Sequence, residues 1–216
     1  PLGLDGQAFF GVPEARLPQV AIPFDRMQPP SQSPAPAAPG TASSASPSRP
    51  RSVGERLLQW SGQDLADAED ALRPRAMGRV NWFGPRALQA CMPSMNGVFT
   101  ARALARHYAL LAGGGALDGQ RWLSAATFAA LSSVQNRQRD RVMPLSMHWR
   151  LGYHRIMALG AEQGFGHIGY NGSGAWCDPA RGLAFAYVQT YPSAGLTGDP
   201  RLWWLSQRAL WLADRA

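Results

Sequence analysis

The residues best placed to do chemistry lie between positions 165 and 179, FGHIGYNGSGAWCDP, where Gly166, Gly169, Gly172 and Gly174 surround one histidine, His167. Glycine weakens a β-strand unless another backbone or a ligand has to come close. Such a conflict between local preference and position is expected at functional sites. On an extended strand His167 shares a face with Phe165 and Gly169, so a residue without a side chain leaves space in front of the imidazole. The same pattern also suits a histidine that is simply packed beside glycine-rich strands.

Other candidates offer less. His107, His148 and His154 could join Cys177 around a metal, but their spacing matches no compact ligand motif. They read as core or surface histidines, and no metal or cofactor is expected. Cys91 and Cys177 are too far apart for a zinc knuckle or a Cys-x-x-Cys pair, and their spacing leaves both pairing and redox compartment open. Asp178 opens the turn sequence Asp178-Pro179-Ala180-Arg181-Gly182 and reads as a turn residue. Arg102 and Arg106, one helical turn apart, are expected to tie a helix to acidic neighbours.

Net charge is +7, and all 21 basic residues are arginine. Nucleic-acid binding needs basic residues gathered on one face with partners that read a groove or stack on bases. Here they are spread, with local groups only at Arg73/Arg75/Arg79 and Arg137/Arg139/Arg141. A solvated arginine-rich surface is expected, and no nucleic-acid partner. The absence of lysine bears more directly on catalysis.

Several elements must position the glycine-rich segment. Residues 28–52 consist almost wholly of Pro, Ala, Ser and Gly, have little to bury, and are predicted to be a disordered or surface-loop insertion. Residues 53–72 carry Leu57, Trp60, Leu65, Ala68 and Leu72 at near-helical intervals, which predicts one or two short helices. A helix is predicted over 100–112, with Ala101, Leu104, Ala105, Tyr108 and Leu111 as its apolar stripe and Gly113-Gly114-Gly115 as its stop. Ser124 is placed to cap a helix over 125–134. Strands follow at 149–158, 165–170, 173–177 and 183–189, the last two joined as an antiparallel hairpin by the 178–182 turn. Asp199 and Pro200 open a final helix to residue 213, with Leu202, Leu205, Ala209 and Leu212 at helical spacing.

Helices, then antiparallel strands, then an aromatic-rich helix predict an α+β fold in a single domain. Its 216 residues are enough for one sizeable core. No apolar run approaches the roughly 20 residues that span a bilayer. The sequence begins Pro1-Leu2-Gly3 without a basic and apolar leader, and leaves the compartment open between cytoplasm and periplasm.

The motif His167-Ile168-Gly169 resembles the His-x-Gly that borders the active site in esterase-like members of the penicillin-binding-protein and class C β-lactamase superfamily, where others carry Lys-Thr-Gly. The following GSGAWCDPARGLAFAYV, from Gly172 to Val188, is similar to the family's next two strands. Pro1-Leu2-Gly3, the run from Asn96 to Tyr108, and Leu117-Asp118-Gly119-Gln120-Arg121-Trp122-Leu123-Ser124 match further family blocks in the same order. Together these cover most of the chain outside 28–52. The resemblance implies the C-terminal part of a β-lactamase/transpeptidase-like domain and an acyl-enzyme mechanism. In it a serine attacks a carbonyl, a lysine and a tyrosine manage its proton, and backbone N–H groups bind the oxyanion. Carried onto this chain, the Tyr170 backbone N–H would be an oxyanion donor and His167 would shape the electrostatics and hold substrate or a catalytic hydroxyl. Gly169 would let the substrate approach, with Gly172 and Ser173 at the next bend.

The chain also departs from the family pattern. A Ser-x-x-Lys motif cannot exist without lysine. The family's Tyr-x-Asn normally precedes Pro-Leu-Gly and would fall before residue 1. Ser94-Met95-Asn96 has the form Ser-x-Asn, yet relatives place this block after that motif, and it reads as a loop entering the next helix. The expectation is therefore a truncated serine hydrolase for a small ester, amide or lactam, with its nucleophile on a missing N-terminal segment. The alternative is a non-catalytic β-lactamase-like module that binds a ligand or partner.

Overall fold

Alternation along the strands around His167 decides the architecture. Phe165, Ala175 and Cys177 point to one face of an antiparallel sheet and are buried there against Tyr108, Leu111 and Ala112. Gly166 and Trp176 belong to the other face, where Trp176 packs with Ile156, Ala161 and Leu210. The computed structural model describes residues 2–23, 71, 80–140, 142–143, 145–169, 172–191 and 199–216. The predicted 28–52 insertion and all but Ala71 of the predicted 53–72 helical stretch lie outside the described residues.

The described elements are, in chain order, β1 (Ala8–Phe10), α1 (Pro85–Gln89), β2 (Gly97–Phe99), α2 (Ala101–Ala112), β3 (Ala116–Leu117), β4 (Gln120–Arg121), α3 (Ala125–Ser132), β5 (His154–Arg155), β6 (Phe165–Ile168), β7 (Gly174–Asp178), β8 (Leu183–Tyr187) and α4 (Pro200–Ala213). A short 3-10 helix occupies Glu14–Gln19. The main sheet runs β5-β6-β7-β8, antiparallel throughout, and β1-β2 and β3-β4 form two small pairs. The fold is α+β, as expected.

Helix α2 lies across β7 and β8. Thr100 caps it by accepting from the Ala103 N–H at 3.1 Å. Gly114 and Gly115, at φ +64° and +89°, turn the chain out of it while the Gly115 N–H returns to the Leu110 carbonyl at 2.9 Å. Asp118-Gly119, both at positive φ, then close the β3-β4 hairpin, the geometry an Asp-Gly pair favours. Ser124 caps α3 by accepting from Thr127 N–H at 3.0 Å, and Asp199 caps α4 by accepting from Arg201 N–H at 2.7 Å.

Two expectations need correction. The strand expected over 149–158 is reduced to His154–Arg155, because Arg150 N–H donates to Tyr153 O at 2.8 Å and Gly152 adopts φ +82°, making 150–153 a turn. On α4 the buried line is Leu202, Ser206 and Leu210, while Leu212 is exposed. The helix rotates this way because the indole N–H of Trp176 donates to Ser206 Oγ at 2.8 Å, which gives a polar residue a buried place.

Candidate functional site

Strand β6 is built from two unlike halves. Phe165 is fully buried, with the rings of Tyr153 and Phe128 against it and the Arg150 guanidinium 5.3 Å from its centroid. Gly166 is also buried, and a Cβ there would lie 2.2 Å from the Ala175 carbonyl oxygen and 2.5 Å from Trp176 Cα. The close approach that excuses this glycine is therefore that of the neighbouring strand. His167, next along, is exposed, and Ile168 is half-buried.

His167 shares the Phe165 face, as alternation requires, and no hydrogen bond ties its side chain to any described residue. Its ring centroid is 5.2 Å from that of His154. Neighbouring protein atoms shield part of the exposed imidazole and lower its pKa from 6.5, which favours the uncharged ring at neutral pH. Beneath it Tyr108 is buried and its phenol is pushed far up by burial first and then by Tyr153 and Cys177, with a hydrogen bond to the His167 backbone working the other way. His107 Nε2 lies 3.1 Å from the Tyr153 hydroxyl, and burial lowers its pKa.

The bend after β6 is held by its own backbone. Gly169 N–H donates to Ser173 O at 2.7 Å, and Gly172 N–H donates to Gly169 O at 2.9 Å with Gly172 at φ +90°. A Cβ on Gly169 would stand 3.1 Å from Ser173 O. The Ser173 hydroxyl accepts from Gln189 N–H at 3.1 Å, linking the bend to the end of β8. The structure thus brings His167, Gly169, Gly172 and Ser173 together at one end of the sheet. Tyr170, the expected oxyanion donor, lies outside the described residues.

The remaining candidates have structural partners. Asn96 is buried and gives its amide hydrogens to Ala87 O and Ala90 O while its oxygen accepts from Met92 N–H at 3.1 Å. Asp178 is fully buried at the end of β7, accepts from Ala180 N–H at 3.0 Å, and pairs with Arg181, which also holds Asp214 at 2.6 Å. Arg106 pairs with Asp118 and donates to Leu2 O at 2.6 Å. Cys91 is an exposed thiol and Cys177 a buried one, both free, and burial together with Asp178 pushes Cys177 up to about 12. Among the described residues, no group of three His, Cys, Asp or Glu side chains is arranged to hold a metal ion. None of their helices is long and apolar enough to cross a membrane.

His154 is the residue that sequence reasoning undervalued. It is 2% exposed, lies across from Gly166, and reaches the Ile168 backbone N–H at 3.1 Å with Nε2. No local spacing announces this, since the contact depends on the register of β5 against β6. Trp203 is a second case. Its buried indole Nε1 has no hydrogen-bond partner among the described residues and belongs to a small cleft that also takes in His154, His167 and Ile168.

A four-stranded antiparallel sheet thus carries a glycine-rich histidine strand and is packed by α2 and α4. The family model described as Beta-lactamase matches residues 1–206, and the chain belongs to that family. It is 42% identical over 118 residues to Esterase/beta-lactamase LipL of Mycobacterium tuberculosis (strain ATCC 25618 / H37Rv), a match covering 53% of this chain and 27% of that protein. A penicillin-binding protein homolog from Caulobacter crescentus superposes with a TM-score of 0.67 at 27% identity, over 96% of this chain and 48% of its own. A family VIII carboxylesterase shares the fold with a TM-score of 0.67 at 22% identity, over 99% and 48% of the two chains. The chain therefore spans about half the length of these solved structures.

Proposed function

We propose that these residues form part of a serine hydrolase of the esterase type, acting on a small ester, amide or lactam through an acyl-enzyme. Gly166-His167-Ile168-Gly169 would form one wall of its active site. The observation that carries this reading is an exposed imidazole with no hydrogen bond to a described residue, directly after the buried Phe165 and Gly166 on β6, in a chain of the Beta-lactamase family. His167, kept neutral by its surroundings, would hold a catalytic hydroxyl or the substrate. The Tyr170 backbone N–H would stabilise the oxyanion. Gly169 would keep the approach to that amide clear, and Gly172 and Ser173 would shape the rim. No metal or cofactor enters the proposal.

With no lysine in the sequence, these 216 residues cannot supply Ser-x-x-Lys. The nucleophile would come from a segment of the same protein outside them. Upstream coding sequence bearing Ser-x-x-Lys and then Tyr-x-Asn supports the reading, and its lack would favour a non-catalytic binding module. The 216-residue chain alone is expected neither to hydrolyse p-nitrophenyl esters nor to be labelled by a fluorophosphonate probe. Stoichiometric labelling of that chain would overturn this division of the site. In the intact protein, His167→Ala is expected to lower kcat/KM by roughly tenfold to a thousandfold. Unchanged kinetics in a folded variant would leave His167 with a structural role only.

A further inference from the structure

Strand β5 pairs with β6 only across His154 with Gly166 and Arg155 with Phe165. Beyond Gly166 no described strand continues on that side of β6. Backbone groups that point to one side of a strand recur at every second residue, so the next N–H aimed that way after Gly166 belongs to Ile168. That N–H donates to the imidazole Nε2 of His154 at 3.1 Å. The other ring nitrogen, Nδ1, lies 2.7 Å from the Arg155 carbonyl oxygen. A carbonyl oxygen only accepts, so Nδ1 carries the proton, and an Nε2 that accepts from an amide carries none.

We propose that His154 is a positioning residue for the His167 strand: its uncharged imidazole, protonated on Nδ1, stands in for a main-chain carbonyl where β5 ends and fixes β6 by the Ile168 N–H. The inference rests on the reading of residues 166–169 as a wall of the active site. Ile168 lies between His167 and Gly169, so the bond sets the course of the backbone that presents both.

The surroundings select this uncharged form. The ring is 2% exposed, and the Trp149 ring stands edge-on to it at 5.6 Å. Burial is the main reason that its pKa falls to about 4, and the fields of His167 and Arg150 lower it further against the Arg155 carbonyl bond. The α4 residues at the same cleft, Leu202, Trp203 and Ser206, bring no charge. A second proton would place an N–H on Nε2 directly against the Ile168 N–H, which breaks the contact.

The test is made on the full 216-residue chain labelled with nitrogen-15. Long-range proton–nitrogen spectra are expected to show His154 with Nδ1 protonated and Nε2 bare, unchanged between about pH 8 and about pH 5, unlike an ordinary imidazole. The opposite tautomer, or titration near the ordinary value of 6.5, would overturn the proposal. In His154→Leu the acceptor is gone, and Ile168 amide exchange is expected to quicken by about tenfold to a hundredfold. In His154→Gln, whose side-chain oxygen can take the place of Nε2, exchange is expected to return to within about threefold of the original. An unaltered Ile168 rate in the Leu variant would also sink the idea, and if that variant fails to fold, the spectrum of the unmodified chain decides. None of this needs a substrate. Should the intact protein prove inactive while the spectra hold, the hydrolase reading falls and the role of His154 in positioning Ile168 stands.

Discussion

Residues 165–166 and 167–169 are consecutive on one stretch of chain, yet physics treats them differently. The first pair is buried, flanked by β5 on one side and β7 on the other, and intolerant of added volume at Gly166. The second group is exposed or half-buried, keeps β7 on one side through Ile168, and on the other has the His154 ring where a strand would be. Within a step of one residue the chain changes from scaffold to candidate site. On the proposed reading, His167 would owe its usefulness to the rigidity of what precedes it. A reactive group placed on an anchored strand is more precisely held than one on a free loop.

The sharpest way to break this contrast is to add bulk to the scaffold half. Gly166→Val would drive side-chain carbon into the Ala175 carbonyl and the Trp176 backbone, neither of which is a flexible side-chain end. A loss of about 3 kcal/mol or more is expected in urea unfolding, at the upper end of overpacking costs. A change under about 0.5 kcal/mol would show that the scaffold half yields as readily as an exposed position.

A second test uses acid to probe the join between the halves. The unfolded His154 imidazole takes its proton near 6.5, whereas the folded one resists until about 4. Between those values the unfolded state binds more protons, so stability falls as pH falls, by about 2 kcal/mol at about pH 5 from this residue alone. His107, His148 and His167 are lowered too and steepen the same trend. His154→Gln isolates the contribution: the slope of stability against pH should lose close to one proton near pH 5. An unchanged slope would mean that the imidazole is not held uncharged by the fold.

The smallest stability change belongs to the exposed half. His167→Ala should shift unfolding by less than about 0.5 kcal/mol, as expected of an exposed side chain with no hydrogen bond to a described residue. On the proposed hydrolase reading, the same substitution is expected to cost the intact protein most of its activity. A large destabilisation would make His167 a packing residue and erase the contrast.

Much of this was legible in the sequence because it depends on local rules. Ser124, Asp199 with Pro200, and the triple glycine after α2 mark helix ends through backbone groups only a few residues away. The Asp178 to Gly182 turn joins β7 and β8 for the same reason. Asp118-Gly119 is an equally local hairpin signal and could have been read. The motif His167-Ile168-Gly169, with the ordered blocks around it, was enough to point to the family that the chain matches.

The sequence by itself therefore determined the α+β class, the N-caps of α3 and α4, the glycine stop after α2 and the 178–182 turn. Short-range hydrogen bonds and the alternation of strand faces carry that information along the chain. Only the tertiary structure decided that Gly166 serves a neighbouring strand, that Ser206 turns inward to meet Trp176, and that His154 completes the edge of β6. Those outcomes depend on strand register and on the distance between groups far apart in sequence. A shift of one residue in the β5-β6 pairing would send His154 to the other face, and no property of its immediate neighbours reveals which register prevails.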